Sequence, residues 1–589
     1  MVIAELNAIQ KRYGYIPENE LYELSRRLNK PVHELYGVAS FYPHYRLQPP
    51  PRATIHVCTD APCHIRWAQQ LLKRMTDLAG DDKAIEVKGC SCLGQCDGAP
   101  AVFINDQPYA RQSPGELLEL ATRAVAGETL EHQHFDAPGG PFRTDPYASP
   151  DQHYGVLRSL LGAGGFEQSV IDKMKAANLR GMGGAGTPAF RKWQTVKDGK
   201  SDQKYVVCNG DESEVGTFKD REILRLLPHL LVESMTIAGV VTGATRGYVY
   251  IRHEYHEQIE IVRAEIERAN KLGACGDNIF GSGRNFELEV FVSPGGYVQG
   301  EETALLEAIE GKRGQPRNKQ WDVGLQLGVP AFKGLFGKPT IINNVETFIY
   351  VPVILSKGPE WFIAQGKNGC QGLKWIGVGG AVARPGVFEV SLGTTYREAI
   401  DLAGGMAGGK KVKAVCPSGP SFPFLNADEI DVPMDFPAWG KDGPVNPIAR
   451  LGTTVGSAAI IVLPEGTDMV DFALNMTKFY RNESCGKCVP CRVGSQKMVD
   501  IITGIIAGTA REEDLKEIER LGDAMNMASI CGLGQVVANP ISCVLKKWKG
   551  EVDAYLKRKT AARGSTQVTE WAEAQPITEG SAAMSLKSE

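Results

Sequence analysis

The pattern of hydrophobic and polar positions changes period several times along the chain. Residues 1–48 carry apolar side chains at helical spacing, among them Leu6, Ile9 and Leu21, with a turn at Pro17. This segment predicts a small helical hairpin. Residues 49–126 then mix short apolar runs at 53–57, 85–88 and 101–104 with a helical stretch at 65–78. The mixture predicts a layer of helices and strands with a thioredoxin-like arrangement.

The remainder divides by the same criterion. Residues 127–151 are rich in Pro, Gly and His and predict a linker. Residues 152–355 alternate strand-like runs at 205–208, 247–251 and 287–292 with helical runs at 223–238, 257–269 and 302–310, which predicts a Rossmann-like α/β sheet. Residues 356–463 predict a compact β-grasp-like insert around one helix at 396–403, and residues 464–559 a helical bundle. The tail, 560–589, has no apolar period, so we expect disorder there.

Composition narrows the class of protein. A chain of 589 residues is long enough for several cores, and its formal net charge of −4 leaves no field that would hold a nucleic-acid backbone. The first residues mix charge with apolar positions and do not form a signal peptide. No uncharged apolar run approaches the length of a membrane span. We therefore expect a cytoplasmic protein without a nucleic-acid partner.

One cysteine pattern is specific. Cys485, Cys488 and Cys491 follow one another at C-x2-C-x2-C spacing, and Cys531 lies well downstream. Three thiolates from one loop and a fourth from a remote segment suit a [4Fe–4S] cluster. Zinc is the alternative, although its four-thiolate sites usually pair two C-x2–4-C motifs, and Cys531 has no such companion. The pattern favours single-electron transfer.

A second set lies in the thioredoxin-like segment, where two cysteine pairs on two loops suit a [2Fe–2S] cluster with two ligands per iron: Cys58, Cys63, Cys92 and Cys96. Zinc fits these spacings less well. Cys90 is a possible competing ligand, but we interpret it as a buried small hydrophobe. The remaining cysteines, at 208, 275, 370, 416 and 543, show no metal spacing and are assigned to core packing.

The α/β segment contains a glycine loop and three polar stretches. Residues 180–186 read Arg-Gly-Met-Gly-Gly-Ala-Gly, which allows backbone N–H groups to approach a phosphate, and Lys192 follows as a point charge. An ordinary tight turn remains the alternative. Acids and amides follow at 208–221 and 295–303, and Asn343 and Asn344 come after another apolar run. Since α/β sheets place ligands at the carboxyl ends of strands, these stretches predict one polar pocket.

At these motifs the chain resembles a fusion of two NADH-oxidising subunits of complex I type, the 24 kDa-like and the 51 kDa-like. The motifs are Cys-Asn-Gly-Asp-Glu-Ser-Glu, Gly-Glu-Glu-Thr-Ala-Leu-Leu, Gly-Lys-Pro-Thr, Asn-Asn-Val-Glu-Thr and Ser-Cys-Gly-Lys-Cys-Val-Pro-Cys. The single-chain arrangement is similar to the diaphorase flavoprotein subunits of cytoplasmic NAD-reducing [NiFe] hydrogenases. The resemblance covers nearly the whole chain except the tail and parts of the linker.

The resemblance implies FMN in the α/β domain, an insert of the SLBB type, and NAD(H) as substrate. It places Gly181, Gly183 and Lys192, with Gly184 and Gly186, at the flavin phosphate. It places Glu214 and Glu302 at the nicotinamide nucleotide. It also implies the [4Fe–4S] and [2Fe–2S] clusters on the two cysteine sets. The other residues implied around the flavin are Asn209, Asp211, Glu212, Tyr297, Gly300, Glu301, Asn343 and Asn344.

The chain departs from its relatives where an adenine would be held. Met182 and Thr187 replace an arginine and a phenylalanine, and the segment 319–330 replaces a Lys-Pro-Pro-Phe-Pro run. Trp321 and Phe332 are the candidate substitutes for the lost aromatic contacts.

The resemblance implies a hydride exchange between NAD(H) and FMN, followed by single-electron transfer through the clusters. No catalytic acid or base is needed for the hydride step. The chain has no nickel-site motif, so the implied partners are an iron–sulfur electron-transfer subunit and [NiFe] hydrogenase subunits, which together reduce NAD+ with H2. The alternatives are a diaphorase subunit of an NAD-dependent formate dehydrogenase or of complex I, and, from another class, a zinc-stapled scaffold. The [2Fe–2S] cluster would be either an electron store or the exit.

Overall fold

The computed structural model describes residues 2–133, 139–319, 329–437 and 446–558. The expected disordered tail at 560–589 and the candidate aromatic Trp321 lie outside these residues. The described parts form three sheets with helices packed between them. The predicted domain boundaries remain predictions, and the elements are given below in chain order.

The N-terminal segment forms three helices rather than the predicted hairpin: α1 Val2–Tyr13, α2 Glu18–Leu28 and α3 Val32–Ala39. Pro17 and Pro31 stand at the N-caps of α2 and α3, where a missing N–H costs nothing. Asn29 ends α2 in the left-handed conformation. The second proline therefore makes the additional helix that apolar spacing alone did not separate.

The next segment is the expected thioredoxin-like layer. Its sheet has the order β2-β1-β3-β4, with β1 parallel to β2 and antiparallel to β3. Its elements are β1 Ala53–Cys58, α4 Ala61–His64, α5 Ala68–Ala79, β2 Ile85–Cys90, β3 Val102–Ile104, β4 Gln107–Tyr109 and α6 Pro114–Val125.

A four-stranded parallel sheet with the order β7-β6-β5-β8 organises the α/β segment. The single helix predicted over 223–238 is two helices, because Pro228 cannot donate the hydrogen bond that would continue the first one. The elements are α7 Gly155–Ala163, α8 Glu167–Ala176, α9 Ala189–Asp198, β5 Tyr205–Gly210, α10 Lys219–Leu226, α11 Pro228–Thr242, β6 Arg246–Arg252, α12 His256–Lys271, β7 Glu287–Ser293, α13 Glu302–Ile309, α14 Pro330–Lys333, β8 Thr340–Asn344 and α15 Val345–Lys357.

Both faces of this parallel sheet are buried, as its apolar strands require. Val206 belongs to the large core that contains α11 and α15. Its neighbour Val207 points to the other face and joins a second core with Leu6 and Leu24 of the N-terminal helices. The N-terminal helices therefore cover the second face of the parallel sheet. In the sequence, the thioredoxin-like layer lies between these helices and the sheet that they cover.

The insert is a five-stranded sheet of order β10-β9-β13-β11-β12, in which only β9 and β13 run parallel. Its elements are α16 Pro359–Ala364, β9 Leu373–Gly380, β10 Gly386–Ser391, α17 Tyr396–Leu402, β11 Val412–Pro420, β12 Leu425–Asn426, α18 Pro447–Arg450 and β13 Ala459–Pro464. The helical bundle follows, with α19 Met469–Asn482, α20 Val489–Ile506, α21 Glu512–Ala528, α22 Gly532–Val536, α23 Asn539–Lys547 and α24 Lys549–Arg558.

Among the described residues no single helix has the length and apolar character of a membrane span. The bent pair α10 and α11 meets that test only when its two halves are combined. The residues of α11 are buried almost throughout within the protein.

Candidate functional site

The predicted pocket residues meet at the carboxyl ends of β5 and β8, neighbouring strands of the parallel sheet. Asn209 near the end of β5 donates through Nδ2 to the carbonyl of Gly300 at 2.8 Å. Asn344 ends β8 and caps α15 by accepting from the backbone N–H of Glu346 at 3.1 Å. Both side chains are partly exposed at the same edge of the sheet. The edge is where an α/β sheet binds its ligand.

The glycine loop closes on itself beside Asn344. The N–H of Gly181 donates to the carbonyl of Thr187 at 2.7 Å, and Gly186 has φ +62°. A Cβ at Gly183 would lie 3.0 Å from the Cβ of Asn344, whereas a Cβ at Gly184 would meet no atom within 4 Å. The loop thus packs tightly on one side and leaves open space on the other, which fits the predicted phosphate cradle.

The predicted phosphate cation and one predicted nucleotide acid contact each other. Lys192 Nζ donates to Glu302 and, at 3.0 Å, to the carbonyl of Ile342. Glu301 has a different role, since its side chain accepts from the backbone N–H groups of Thr303 and Ala304 and so caps α13. The pairing places Lys192 and Glu302 in one cleft.

Three predicted residues are engaged mainly by the protein. Glu212 accepts from the backbone N–H of Asp220 at 2.8 Å and of Arg221 at 3.0 Å, and burial raises its pKa to about 7. Asn343 accepts from the indole of Trp193 at 3.1 Å. Asp211 is buried, which raises its pKa to about 7. The contacts of Glu212 hold the loop that follows β5, and the contact of Asn343 joins β8 to α9. Direct flavin contact by these three residues remains a prediction.

Tyr297 connects the cleft to the helical bundle. Its hydroxyl donates to Glu214 Oε2 at 2.6 Å, and its backbone N–H donates to Glu483 Oε2 at 2.7 Å. Glu483 lies two residues before Cys485, whose carbonyl accepts from Gln315 at 3.3 Å. The acidic cleft and the first cysteine loop are therefore adjacent.

The four cysteines at 485, 488, 491 and 531 line one common pocket, together with Val298 and Pro316. Burial raises the pKa of Cys491 to about 12 and of Cys531 to about 11, so these thiols need a cationic group in order to ionise. A converging set of four sulfurs around such a space fits the irons of a [4Fe–4S] cluster.

The other four cysteines are all buried, and their thiols form a chain of contacts. Cys58 contacts the thiols of Cys63 and Cys92, and Cys92 Sγ lies 3.3 Å from Cys96 Sγ. Hydrogen bonds from Cys58 and Cys96 lower the pKa of Cys92, and the charge of Arg252 lowers it further. The same contacts raise the pKa of Cys58 and Cys96. Iron bound at this site would supply the positive charge that four thiolates require.

Over the described ranges, no group of three or more His, Cys, Asp or Glu side chains is placed to hold a single metal ion. Cys90, interpreted from the sequence as buried, is partly exposed at the end of β2 and packs against the core of the thioredoxin-like layer. Of the cysteines assigned to packing, Cys370 is also partly exposed, and the others are buried.

Two buried arginines of the α/β domain grip the loop between Cys92 and Cys96. Arg252 donates to the carbonyl of Cys92 at 2.7 Å. Arg221 donates to the carbonyl of Gly94 at 2.7 Å, to Gln95 at 2.7 Å and to Asp97 at 2.8 Å. Arg221 lies at the end of a motif noted in the sequence, but nothing there indicated its partner.

Lys374 of β9 is a further residue for which no sequence pattern provided a signal. This fully buried lysine donates to Glu346 at 2.5 Å and to the carbonyl of Met182 at 3.3 Å. Lys219 reaches Glu346 at 3.0 Å and Asn344 at 3.4 Å. The insert therefore braces the glycine loop through a buried ionic cluster.

One of the two candidate adenine contacts lies within the described residues. Phe332 is on α14, and 39% of its surface is exposed. An exposed ring of this kind is available to a ligand, but its contact with an adenine remains a prediction.

Comparison with known families agrees with this arrangement. The Nuo51 FMN-binding domain matches residues 174–353, and the thioredoxin-like [2Fe-2S] ferredoxin family matches residues 1–124. The iron-sulfur binding region of NADH-ubiquinone oxidoreductase-F matches residues 471–555, and the SLBB domain matches residues 376–425.

Whole proteins are similar as well. The F subunit of the NADH-quinone oxidoreductase of Aquifex aeolicus is 41% identical over 70% of this chain and 91% of its own length. The HndC subunit of the NADP-reducing hydrogenase of Solidesulfovibrio fructosivorans is 39% identical over 66% of this chain and 76% of its own. The crystal structure of an NAD+-reducing [NiFe]-hydrogenase in its H2-reduced state contains a chain with a TM-score of 0.81 and 28% identity, covering 94% of this chain and 93% of that one.

The fold and the two cysteine sites define a flavoprotein that exchanges electrons between NAD(H), FMN and iron–sulfur clusters. The chain belongs to the family of NADH-quinone oxidoreductase F subunits. The predicted fold class, the three prosthetic groups and the family resemblance are confirmed. The residue assignments within each site remain predictions.

Proposed function

We propose that the chain is the NAD(H)-reacting subunit of a hetero-oligomeric NAD-reducing [NiFe] hydrogenase, located in the cytoplasm. The similarity to a hydrogenase chain over nearly the full length supports this partner, since the relatives from NADH-quinone oxidoreductases match about 70% of the chain. All fourteen cysteines are free, which agrees with a reducing compartment. Two relatives are named as subunits, which supports a partner-dependent function.

The observation that carries the electron-transfer role is the position of Tyr297. It contacts Glu214 in the acidic cleft and Glu483 beside the first cysteine loop, so the two sites share a wall. FMN bound in the cleft would take up a hydride and release its electrons singly. Lys192 and the glycine loop would hold its phosphate, and Glu214 and Glu302 would orient the nucleotide.

The half-exposed cysteines at 485, 488 and 531 support exit of electrons through the [4Fe–4S] site. The two acids act by binding, since hydride transfer needs no proton donor. Glu302→Gln should mainly change NAD(H) affinity, and it also releases Lys192 from its partner. A variant that binds NADH normally but no longer reduces FMN would contradict this role.

The test is an anaerobic NADH titration of the full chain, followed by absorbance and electron paramagnetic resonance. Bleaching of a flavin spectrum with the appearance of reduced clusters is expected. A colourless, flavin-free protein that contains zinc would refute the proposal. Metal analysis of the co-purified native complex tests the partner, because nickel supports hydrogenase whereas molybdenum or tungsten supports formate chemistry.

A further inference from the structure

A serine hydroxyl meets one of the four cysteines that line the [4Fe–4S] site. Ser484 lies in the loop between α19 and α20, lines the same pocket, and has its Oγ 3.2 Å from Cys491 Sγ. The same oxygen accepts from the backbone N–H of Gly486 at 3.3 Å. A donor of its own loop thus occupies one lone pair of Ser484 Oγ, and the hydroxyl proton is left for the sulfur.

Binding of iron fixes the direction of this hydrogen bond. Between the free groups, either Ser484 or Cys491 can donate to the other. A cysteine that ligates iron is a thiolate without a proton, so only the Ser484 hydroxyl can then be the donor. Cys491 is also the one buried member of the four, with 5% of its surface exposed. Water therefore has little access to compete for its sulfur.

A second buried hydroxyl lies near Cys491. Ser529, two residues before Cys531, is 6% exposed, and its Oγ has no hydrogen-bond partner among the described residues. A Cβ at Gly534 would lie 2.5 Å from Ser529 Oγ and 2.9 Å from Cys491 Cβ, so both groups converge on this glycine. Since buried hydroxyls are nearly always paired, the sulfurs of a bound cluster would be the acceptors that Ser529 needs.

Two other sulfurs of the site are met by the backbone. Backbone N–H groups of Lys487 and Gly534 donate to Cys485 and Cys531. Such donors come with any loop that carries these cysteines. The two serine hydroxyls belong to side chains instead, so a substitution can remove them while the loop keeps its path.

We propose that the hydroxyls of Ser484 and Ser529 donate hydrogen bonds to the sulfurs of the [4Fe–4S] cluster and so raise its reduction potential. The inference rests on the assignment of that cluster to the four cysteines. Reduction adds one electron, and the added negative charge spreads over the sulfurs, where a hydroxyl proton stabilises it. The electron comes from NADH by way of FMN and leaves to the partner protein, so no other reductant is needed and no bond breaks.

The experiment is a potentiometric titration of the full-length, FMN- and iron-replete protein, with both clusters followed by electron paramagnetic resonance in each sample. Ser484→Ala should lower the reduced-to-oxidised ratio of the [4Fe–4S] cluster about tenfold at a fixed potential, equivalent to about 59 mV for a one-electron couple. Ser529→Ala should lower the ratio about threefold, the effect of one neutral hydrogen bond. Ser484→Thr keeps a hydroxyl and should restore the ratio. The [2Fe–2S] potential should stay unchanged in all three variants.

A second measurement detects the donated proton itself. After exchange into D2O, electron–nuclear double resonance of the reduced [4Fe–4S] cluster should show an exchangeable deuteron that is missing from Ser484→Ala. A serine that only shaped the loop would place no such deuteron beside the cluster, so this signal separates hydrogen bonding from a structural role.

Thr503→Val is the matched control, because the Thr503 hydroxyl lies on the same helix as Cys491 but donates to the Val499 carbonyl at 2.7 Å. It should leave both potentials unchanged. The inference would be overturned by an unmoved [4Fe–4S] potential or loss of cluster iron in either serine-to-alanine variant, by an equal shift of both clusters, or by a deuteron retained in Ser484→Ala. If NADH still reduces both clusters of the wild-type protein, the proposed function stands even though the inference fails.

Discussion

The two cysteine sites differ in how the protein surrounds them. Cys58, Cys63, Cys92 and Cys96 are each exposed by 5% or less, and Arg221 and Arg252 of another domain bind the loop between the last two. At the other site only Cys491 is buried to that degree. Exposed apolar side chains stand on its flanking helices, among them Val489 with 58% and Met527 with 80% of their surface accessible.

The difference separates two ways of building a cluster site. The first is assembled at a junction and depends on domain packing, whereas the second depends on one local loop and a single remote cysteine. The cluster site at the junction holds two domains at a fixed distance from each other. The cluster site near the surface lies where a partner protein can accept its electrons. The predictions below test whether this contrast holds, beginning with the largest effect.

Removing a ligand should empty one site and spare the other. Cys531→Ser should lose the [4Fe–4S] cluster and thus about two thirds of the iron, since four of the six irons belong to it. NADH should still bleach FMN, but electron delivery to a protein partner should fall by more than about 100-fold, because the pathway through the cluster is interrupted. Iron and acid-labile sulfide analysis measures the loss.

Cys370→Ser serves as the control, because Cys370 is a partly exposed cysteine outside both sites. Loss of the [2Fe–2S] signal in the Cys531→Ser protein would show that the two sites are not independent and would remove the contrast.

Breaking the arginine clamp should destabilise the junction. Arg221→Met removes a buried donor from the Gly94 carbonyl and one of the two arginine partners of Asp97, which keeps Arg111. Removal of one member of a buried ion pair costs about 3–5 kcal/mol, so we expect a loss at the lower end of that range. Arg246→Met removes exposed ion pairs to Glu287 and Glu289 and a cation–π contact with Tyr248, so it should cost no more than about 1 kcal/mol. Denaturant unfolding and the [2Fe–2S] resonance signal compare the two variants. Equal stabilities would mean that the clamp is not structural.

Local features could be predicted from the sequence better than contacts between domains. Cysteine spacing predicted two sets of four cysteines, and the structure brings the members of each set together. The strands at 205–208 and 287–292 followed from their apolar runs, and the structure has them as β5 and β7. These features depend on neighbours in the chain, so a single sequence is enough to reveal them.

Which surfaces meet could not be predicted in the same way. Apolar spacing showed that the N-terminal helices have a buried face, but not that this face covers the parallel sheet. Likewise Ser421 and Lys374 belong to the insert and act on loops that lie far from them along the chain. A single serine or lysine has no periodic pattern that would indicate its partner, so only the packing of the domains reveals the contact.

Accessibility should decide which cluster is lost first. Because Cys485, Cys488 and Cys531 are partly exposed and the other set is sealed, an oxidant with a chelator should remove the [4Fe–4S] cluster about tenfold faster than the [2Fe–2S] cluster. Resonance spectra recorded during exposure to ferricyanide and EDTA follow both signals in one sample. Arg221→Met should bring the rates at which the two clusters are lost closer together. Loss of the two signals at the same rate would contradict the comparison.

The smallest expected effect concerns a hydrogen bond between the thioredoxin-like layer and the helical bundle. His64 Nε2 lies 2.7 Å from Asp471 Oδ2 of α19. The hydrogen bond lowers the pKa of Asp471 below its ordinary value of 3.8. Its stabilisation is present above that value and is lost as the pH falls through the lowered pKa. Asp471→Asn should therefore cost about 0.5 kcal/mol at pH 7 and at pH 5, the size of a partly exposed pair.

Asp500→Asn is the control, because the Asp500 side chain accepts from Gln496 of its own helix and should have no measurable effect on the free energy of unfolding. Urea unfolding at both pH values measures the two variants. Should the cost of Asp471→Asn vanish at pH 5, the carboxylate would not be the group that ties α19 to the thioredoxin-like layer. The junction would then depend on Asn475, which donates to the Thr59 carbonyl at 2.8 Å and carries no charge to titrate.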